Sequence, residues 1–324
     1  MDMNQADMEL RKTGSGRTRI APETVHGILV VDKPEGLTSF QVVKRVAKML
    51  SLPKTGHCGT LDPFATGVLL IAVNQGTRIV DQLALHDKEY VCTVRFGVET
   101  DTLDRTGQVQ TTYEGPVLEV ENCRNAVCSL VGSHDQEVPR FSAVHVEGRR
   151  LYDYARRGIH VDLPRRPVTI HSIELLDYEW PLAVLRVCCS KGTYIRQLAA
   201  DIGRKMGCGA HLKALRRTAS GPFGEDRALS FDEIESLGCD GEWAEKVVPL
   251  HQALAHLPAV IMEETLLKRL KNGDLDRNWE SEHRVTLPMS EAPVRVLTSQ
   301  KQLAALWWPR ASDASGRRLR VFPF

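Results

Sequence analysis

No stretch of this 324-residue chain is long and apolar enough to cross a bilayer: the longest apolar run, Gly67 to Val73, falls far short of the roughly 20 residues a span requires. The N-terminus carries acidic residues and lacks the apolar stretch of a secretion signal, so the expectation is a cytoplasmic protein. Net charge is only +1, which gives the molecule as a whole little long-range pull on a polyanion. The eight cysteines form no Cys-x-x-Cys pair and no regular framework, and in a reducing compartment they read as free thiols. His57 with Cys58, and Cys188 with Cys189, are adjacent residues whose side chains diverge, unlike the spaced pairs of a zinc site. Asp101 and Asp104 lack the spacing of a calcium loop, so the acidic segment from Glu99 to Gln108 reads as solvated. There is no internal repeat.

The charge that is present is unevenly placed. From Arg186 to Arg217 the basic residues are Arg186, Lys191, Arg196, Arg204, Lys205, Lys213, Arg216 and Arg217, against the single acid Asp201. Upstream, Arg149, Arg150, Arg156, Arg157, Arg165 and Arg166 face only Asp153 and Asp162. A local positive field of this kind suits phosphate binding, and a merely solvated basic face is the alternative.

Residues 1–25 are polar and read as a loose tail. Gly27 to Val31 is a short buried strand ending in the turn Asp32-Lys33-Pro34-Glu35-Gly36, after which Thr38 or Ser39 caps a helix with Phe40, Val43, Ala47 and Leu50 at helical spacing. A strand over 68–73, a short helix over 77–85 and a strand over 89–96 follow, the last with Tyr90, Cys92, Val94 and Phe96 on one face. Residues 117–131 are helical, 168–178 and 182–189 are paired strands, and 193–206 is a helix closed by Gly207, with Ile195, Leu198, Ala199 and Ile202 as its apolar stripe. Strands and helices without a βαβ rhythm predict an α+β fold. A boundary near 245–258 leaves a small β-rich module with a helix at Leu266, Leu267 and Leu270, and strands over 284–287, 294–297 and 319–322.

Within this frame, Gly56 to Gly67 reads Gly-His-Cys-Gly-Thr-Leu-Asp-Pro-Phe-Ala-Thr-Gly. Gly56, Gly59 and Gly67 permit backbone conformations closed to other residues, and Pro63 fixes the dihedral after Asp62, so one carboxylate is held in one orientation ahead of a core strand. Alone, an Asp-Pro pair among glycines is a turn. It is accompanied, however, by Gly27-Ile28-Leu29-Val30-Val31-Asp32-Lys33-Pro34, Lys88-Glu89-Tyr90, Arg149-Arg150-Leu151-Tyr152-Asp153-Tyr154-Ala155-Arg156 and Cys189-Ser190-Lys191-Gly192-Thr193-Tyr194-Ile195-Arg196. In order and spacing this set resembles the bacterial TruB family, the tRNA pseudouridine-55 synthases, over residues 26–225.

The resemblance implies a mixed, largely antiparallel sheet flanked by helices, the pseudouridine synthase fold, over 26–250, with a small β-rich PUA-like RNA-binding domain over 251–324. It implies isomerisation of one uridine of the tRNA T-loop after the base is flipped out, with no cofactor and no metal. The implied partner is the T-arm of tRNA, met by a monomer with no membrane and no obligatory protein partner. Asp62 matches the family nucleophile, which attacks C1′ of the ribose or promotes a glycal route. Arg196 matches the cation beside it. Tyr90 matches the tyrosine that stacks on the flipped uracil, a role it suits better than that of a base because a phenol of pKa about 10 stays protonated at neutral pH. His57 and Tyr194 match positions that contact the T-loop or target base, Leu215 a pocket wall, with core packing as the alternative, and Lys33 a lysine that supports the site, with a turn lysine as the alternative. Cys58 and His145 depart from the threonine and lysine common in the family, and the second puts a phosphate contact there in doubt. Two rivals remain: a non-catalytic tRNA-binding or tRNA-folding chaperone, and a pseudouridine synthase acting on another RNA. An aspartate-dependent phosphotransferase would want further acids for magnesium beside Asp62, and the motif has none.

A pocket dry enough to hold a base raises a carboxyl pKa by as much as about 3 to 5 units, and a neighbouring arginine lowers it by about 1 to 3. Asp62 therefore needs Arg196 beside it to stay ionised.

Overall fold

The computed structural model describes residues 11–12, 18–19, 21–271, 292–308 and 319–323. Of the expected tail, Arg11–Lys12 pairs with Thr18–Arg19 as a short antiparallel ladder, and Asn74 Nδ2 donates to the carbonyls of Pro22 and Val25. Gly27–Lys33 (β1) is buried almost throughout and continues through Asp32 and Lys33, beyond the limit set by its β-branched run. Thr38 caps Ser39–Met49 (α1) in a reciprocal arrangement: its hydroxyl accepts the Gln41 N–H, and the Gln41 side chain accepts the Thr38 N–H. The buried face of α1 is Val42, Val43 and Val46, which fills the space over the sheet. Phe40, expected on that face, is instead 60% exposed, with the Lys44 ammonium 4.6 Å from its ring centroid.

Thr55–His57 (β2) and Thr66–Val73 (β3) flank the glycine-rich segment, and Lys88–Phe96 (β4) buries Tyr90, Cys92, Val94 and Phe96 as the alternation predicts. The chain continues through Val120–Cys128 (α2), Gly132–Glu137 (β5), Arg165–Glu179 (β6), Leu182–Cys189 (β7) and Ile195–Met206 (α3), with Gly207 in the left-handed conformation closing α3. Ala210–Ser220 (β8) is a strand that the sequence pattern does not reveal. It is poor in β-branched residues, and a register shift between Leu212 and Ala214 breaks its alternation. Val248–Pro249 (β9) closes one edge.

These strands form a ten-stranded sheet in the order β9-β1-β3-β8-β4-β7-β6-β5, with β2 on β3 and Phe223–Gly224 on β8. Every pairing is antiparallel except β3 with β8, a parallel contact of only two residue pairs, Thr66 with Arg216 and Gly67 with Arg217. Two antiparallel half-sheets thus meet at one short seam. One face is covered by α2 and α3, whose Cys123, Ala126, Ile195, Leu198 and Ile202 pack on β4, β7 and β8, and α1 packs beside the other half.

Ala259–Ile261 (β10), Glu264–Lys271 (α4), Val294–Leu297 (β11), Leu303–Trp307 (β12) and Leu319–Val321 (β13) build a separate four-stranded sheet with its helix. The expected strand over 284–287 lies outside the described residues. β12, a further strand absent from the expected set, buries all five of its residues. Leu303, Leu306, Trp308 and Phe322 share one apolar cluster with Ile28, Val30, Val68 and Leu70, so the small sheet is seated on the large one. Among the described residues no helix is long and apolar enough to cross a membrane.

The seam sets a steric limit. Gly67 has φ +99°, and a Cβ there would stand 2.2 Å from the Arg217 carbonyl oxygen. Gly67→Ala is expected to destabilise the fold by more than about 2 kcal/mol, from the positive φ and the backbone clash together, as read by chemical or thermal unfolding. An unchanged unfolding midpoint would show that the seam is not close-packed.

Candidate active site

Asp62 leaves the sheet on a segment pinned from three sides. The buried Ser39 hydroxyl, in the first turn of α1, accepts the Leu61 N–H at 2.9 Å and donates to the Leu61 carbonyl at 3.2 Å. Gly36 N–H donates to the Pro63 carbonyl at 2.8 Å. Lys33 is fully buried, and its ammonium donates to the carbonyls of Pro34, Pro63 and Ala65 at 2.9, 3.1 and 2.6 Å. Lys33 is thus neither a surface turn lysine nor free to meet a substrate. It is a strut beneath the segment, and burial outweighs the attraction of Asp62 to lower its pKa to about 8.

Arg196 enters from the first turn of α3. Its Nε lies 2.8 Å from Asp62 Oδ2, and its Nη2 donates to Oδ1 at 3.3 Å, so guanidinium and carboxylate meet side by side. Two further donors are committed to the protein: Nη1 to the Thr102 carbonyl and Nη2 to the Phe141 carbonyl, each at 3.1 Å. The Arg196 side chain is 5% exposed while that of Asp62 is 33% exposed, so the cation is sunk in the wall and the acid opens to solvent. Burial pushes the Asp62 carboxyl above the usual carboxylate range, Arg196 pulls it back, and Asp104 pushes it up again. The guanidinium offsets burial without cancelling it, a weaker compensation than the motif alone suggests.

Asp104 is the site residue that the sequence reading leaves out most clearly. Far from being solvated, it is buried, with Oδ2 3.8 Å from Arg196 Nε and Oδ1 accepting from the Thr102 hydroxyl, the Thr106 N–H and the Thr106 hydroxyl. The sequence does carry a signal for this: the Thr-x-Asp-x-Thr spacing at 102–106 supplies local donors that let a carboxylate go inside.

Tyr90 and Leu215 lie in the apolar cluster that contains Leu61 and Ile195, the chain neighbours of Asp62 and Arg196, together with Phe64 and Ala65. Burial raises the Tyr90 phenol pKa, so the ring is a protonated phenol at neutral pH. His57 ends β2, the strand that leads into the segment, opposite Ile71 of β3. Burial, and then the charge of Arg217, lower its pKa and keep the imidazole neutral. Tyr194 caps α3 just before Arg196, and the buried Gln136 holds both its backbone groups: Tyr194 N–H donates to Oε1 at 2.8 Å, and Nε2 donates to the Tyr194 carbonyl at 3.1 Å. The structure thus joins Asp62 to Arg196, puts Tyr90 within reach of the Asp62 charge and in one apolar cluster with Leu215, starts the Arg196 helix at Tyr194, sets His57 in the field of Arg217, and fixes Lys33 to the carbonyls of the Asp62 segment.

The basic stretch is only partly a surface. Arg196 and Arg217 are buried, Arg186 pairs with Glu174, Arg204 with Asp201, and Arg216 with Asp32 and Glu225. The exposed cations outside these pairs are Lys191, Lys205 and Lys213 and, upstream, Arg149, Arg150, Arg156, Arg157, Arg165 and Arg166. Arg149 and Arg157 line a cleft of about 370 Å³ with Asp153 and Tyr154. Among the described residues no group of three or more His, Cys, Asp or Glu side chains is placed to hold a metal ion.

A half-sheltered aspartate clamped by a buried arginine, next to a buried tyrosine, is also the point at which comparison with known proteins becomes specific. The N-terminal domain of TruB family pseudouridylate synthases matches residues 47–195, and the tRNA pseudouridylate synthase B C-terminal domain matches residues 196–262. The tRNA pseudouridine synthase B of Syntrophobacter fumaroxidans is 53% identical over 91% of this chain and 97% of its own length. That of Bacillus subtilis is 40% identical over 88% and 93%. Among solved structures, an H/ACA RNP bound to a substrate RNA containing 2′-deoxyuridine aligns with a TM-score of 0.66 at 26% identity, over 87% of this chain and 78% of that one. A Cbf5-Nop10-Gar1 complex aligns with the same score at 25% identity, over 98% and 92%. The fold is therefore that of the pseudouridine synthases, and with both domain matches and relatives aligned over nearly their full lengths, the chain belongs to the TruB family of pseudouridylate synthases.

Proposed function

We propose that this protein isomerises uridine to pseudouridine in tRNA, at the T-loop uridine 55, with Asp62 as the nucleophile. The observation that carries the reading is the side-by-side Arg196–Asp62 pair, a carboxylate open to solvent on a buried cationic support. The C1′–N1 bond breaks with its electron pair leaving on uracil. Asp62 either bonds to C1′ and is displaced when C5 attacks there, or takes up a ribose proton to leave a glycal and returns that proton to the ribose as C5 adds. The uracil turns within the site, C5 bonds to C1′, C5 gives up its proton and N1 gains one, so the reaction balances without a cofactor. Extraction of the base from the loop is required, because the reacting atoms are inaccessible in a stacked nucleotide. Tyr90 stacks on the freed base, a contact worth about 1 to 3 kcal/mol. Leu215 closes the wall, Tyr194 and the neutral His57 contact the loop, and Lys33 keeps the Asp62 segment rigid.

Residues 26–250 act as the catalytic domain and 251–324 as a PUA-like RNA-binding domain, a division supported by the separate four-stranded sheet that begins at Ala259. The protein works as a monomer on the T-arm of tRNA without an obligatory protein partner, since one chain supplies Asp62, Arg196, Asp104 and Tyr90. The exposed arginines at 149, 150, 156 and 157 meet its phosphates.

Asp62→Asn is expected to cut release of tritium from a [5-³H]uracil-labelled tRNA transcript by about a thousandfold or more while leaving RNA affinity largely intact. Turnover near the wild-type rate would remove the nucleophile, and full cellular function of the variant would favour a tRNA-binding chaperone. Because Asp62 must be ionised and its pKa is raised, kcat should fall as pH drops through a value above the ordinary aspartate figure of about 3.9. Asp104→Asn removes a charge that raises that pKa, so the acid limb should move to lower pH; a limb that stays put or rises contradicts the electrostatic linkage. Replacing Arg149 and Arg150 by Gln should weaken RNA binding and flatten its dependence on log salt by about 0.7 to 0.9 for each phosphate that is no longer neutralised. An unchanged slope would place the RNA elsewhere.

A further inference from the structure

Next to the buried Asp104 the chain turns a charge outward. Arg105 is exposed, and its guanidinium pairs with the Glu35 carboxylate while lying over the Phe64 ring, 5.8 Å from the centroid. The two ends of this pair belong to the elements that support the Asp62–Arg196 contact. Glu35 is in the turn whose Gly36 N–H holds the Pro63 carbonyl, and Arg105 follows the aspartate that shares the Arg196 charge. The main chain at Arg105 is pinned: its N–H donates to the Leu212 carbonyl, the Leu212 N–H donates to the Leu103 carbonyl, each at 3.0 Å, and Thr106 bonds Asp104. The side chain is held far less firmly. With 38% of the Arg105 side chain and 57% of that of Glu35 exposed, the ion pair is screened by solvent and adds little to the fold. A fixed main chain carrying a weakly paired cation suits exchange of one anion for another better than it suits structural support. The reaction supplies the second anion, because a nucleoside brought to Asp62 carries a phosphate on each side of its ribose. Arg196, Lys33 and Arg217 cannot meet that phosphate, since all three are buried and bonded to main-chain carbonyls. Arg105 can, with two parallel charge-assisted hydrogen bonds from its planar fork, and the Phe64 ring supports the guanidinium whichever anion it holds.

We propose that Arg105 binds a backbone phosphate next to the target uridine, giving up Glu35 to do so, and thereby anchors that nucleotide over Asp62 with Glu35 as the competing anion. This rests on the assignment of Asp62 to the reaction made above. It adds to the arginines at 149, 150, 156 and 157 a phosphate contact beside the reacting nucleotide itself.

The test is equilibrium binding of a synthetic T-arm hairpin to the full chain carrying Asp62→Asn, so that the RNA is not converted, with Arg105→Gln, Glu35→Gln and both together added to it. The phosphates flanking the target uridine are replaced one at a time by neutral methylphosphonates. Arg105→Gln should weaken binding about tenfold and flatten its dependence on log salt by about 0.7 to 0.9, the loss of one phosphate contact. Glu35→Gln should tighten binding about twofold to fivefold when Arg105 is present and clearly less when it is absent, because only Arg105 gains from the missing competitor. One flanking methylphosphonate should weaken binding to the chain with Arg105 and leave binding to Arg105→Gln unchanged. An unaltered salt slope in Arg105→Gln, an equal effect of Glu35→Gln in both backgrounds, or a methylphosphonate penalty that persists in full without Arg105 would each overturn the proposal. Both side chains are exposed, so the unfolding midpoint should stay in place, and Glu35→Gln reads the exchange with Arg105 intact. Retained turnover in Asp62→Asn would instead sink the functional assignment, and it leaves the binding comparisons readable.

Discussion

The contact between Arg196 and Asp62 is the constraint around which the rest of the site is arranged. A carboxylate in a shelter dry enough for a nucleobase tends to take up a proton, and a cation placed to prevent this is itself costly to bury. The structure separates the two burdens. Arg196 is held by the carbonyls of Thr102 and Phe141 and by its place in the first turn of α3, so its position does not depend on the substrate. Asp62 is brought to it on a segment fixed by Ser39, Gly36 and Lys33, and only the acid faces solvent. Asp104 completes the balance at the same guanidinium nitrogen: it shares the positive charge and raises the Asp62 pKa in doing so. Asp62 is thus poised between a cation that favours its charged form and an anion that opposes it.

That arrangement depends on where the sheet is weakest. The antiparallel halves are joined by two parallel residue pairs, and the strand leaving that seam on one side is the one that Asp62 precedes, while on the other side it carries Leu215, Arg216 and Arg217. A seam with few ladder bonds needs other links. Arg217 provides them by bonding to Val68 and Gly59 across it, and the paired Arg216 bonds Asp32 on β1 from the opposite face. The residues proposed to carry the reaction therefore sit where two half-sheets converge, which fixes them more firmly than a loop at a sheet edge could.

Much of this was legible in the residues, and the parts that were not share a cause. Alternation exposed β4 and the β6–β7 pair, and helical spacing with a glycine stop exposed α3, because those patterns record burial directly. The glycine-rich segment announced Asp62, and the wider set of motifs announced Arg196. Asp104 and Arg217 stayed hidden because both are charged residues turned inward, and single-residue reasoning assigns a charge to solvent by default. β8 stayed hidden for a related reason: a strand that buries an arginine and carries a bulge has neither the composition nor the period of a core strand. The misplaced Phe40 is the converse case, an apolar residue left outside because three valines had already filled its face.

Inward charge also changes what the overall composition means. A net charge of +1 makes the chain look indifferent to polyanions, and the basic stretch from Arg186 to Arg217 looks like the compensating binding face. Yet two of that stretch's arginines are buried and three more are paired with acids, so much of its charge is spent on internal architecture. The field available to RNA comes instead from exposed lysines and from the arginines around the short helix Leu151–Arg156, while the buried cations act over a few ångströms on Asp62, Tyr90 and His57. Exposed charge is screened within about 8 Å at physiological salt, but buried charge is screened far less. Raising the salt should therefore separate the two populations, weakening capture of the RNA well before it disturbs the ionisation of the aspartate.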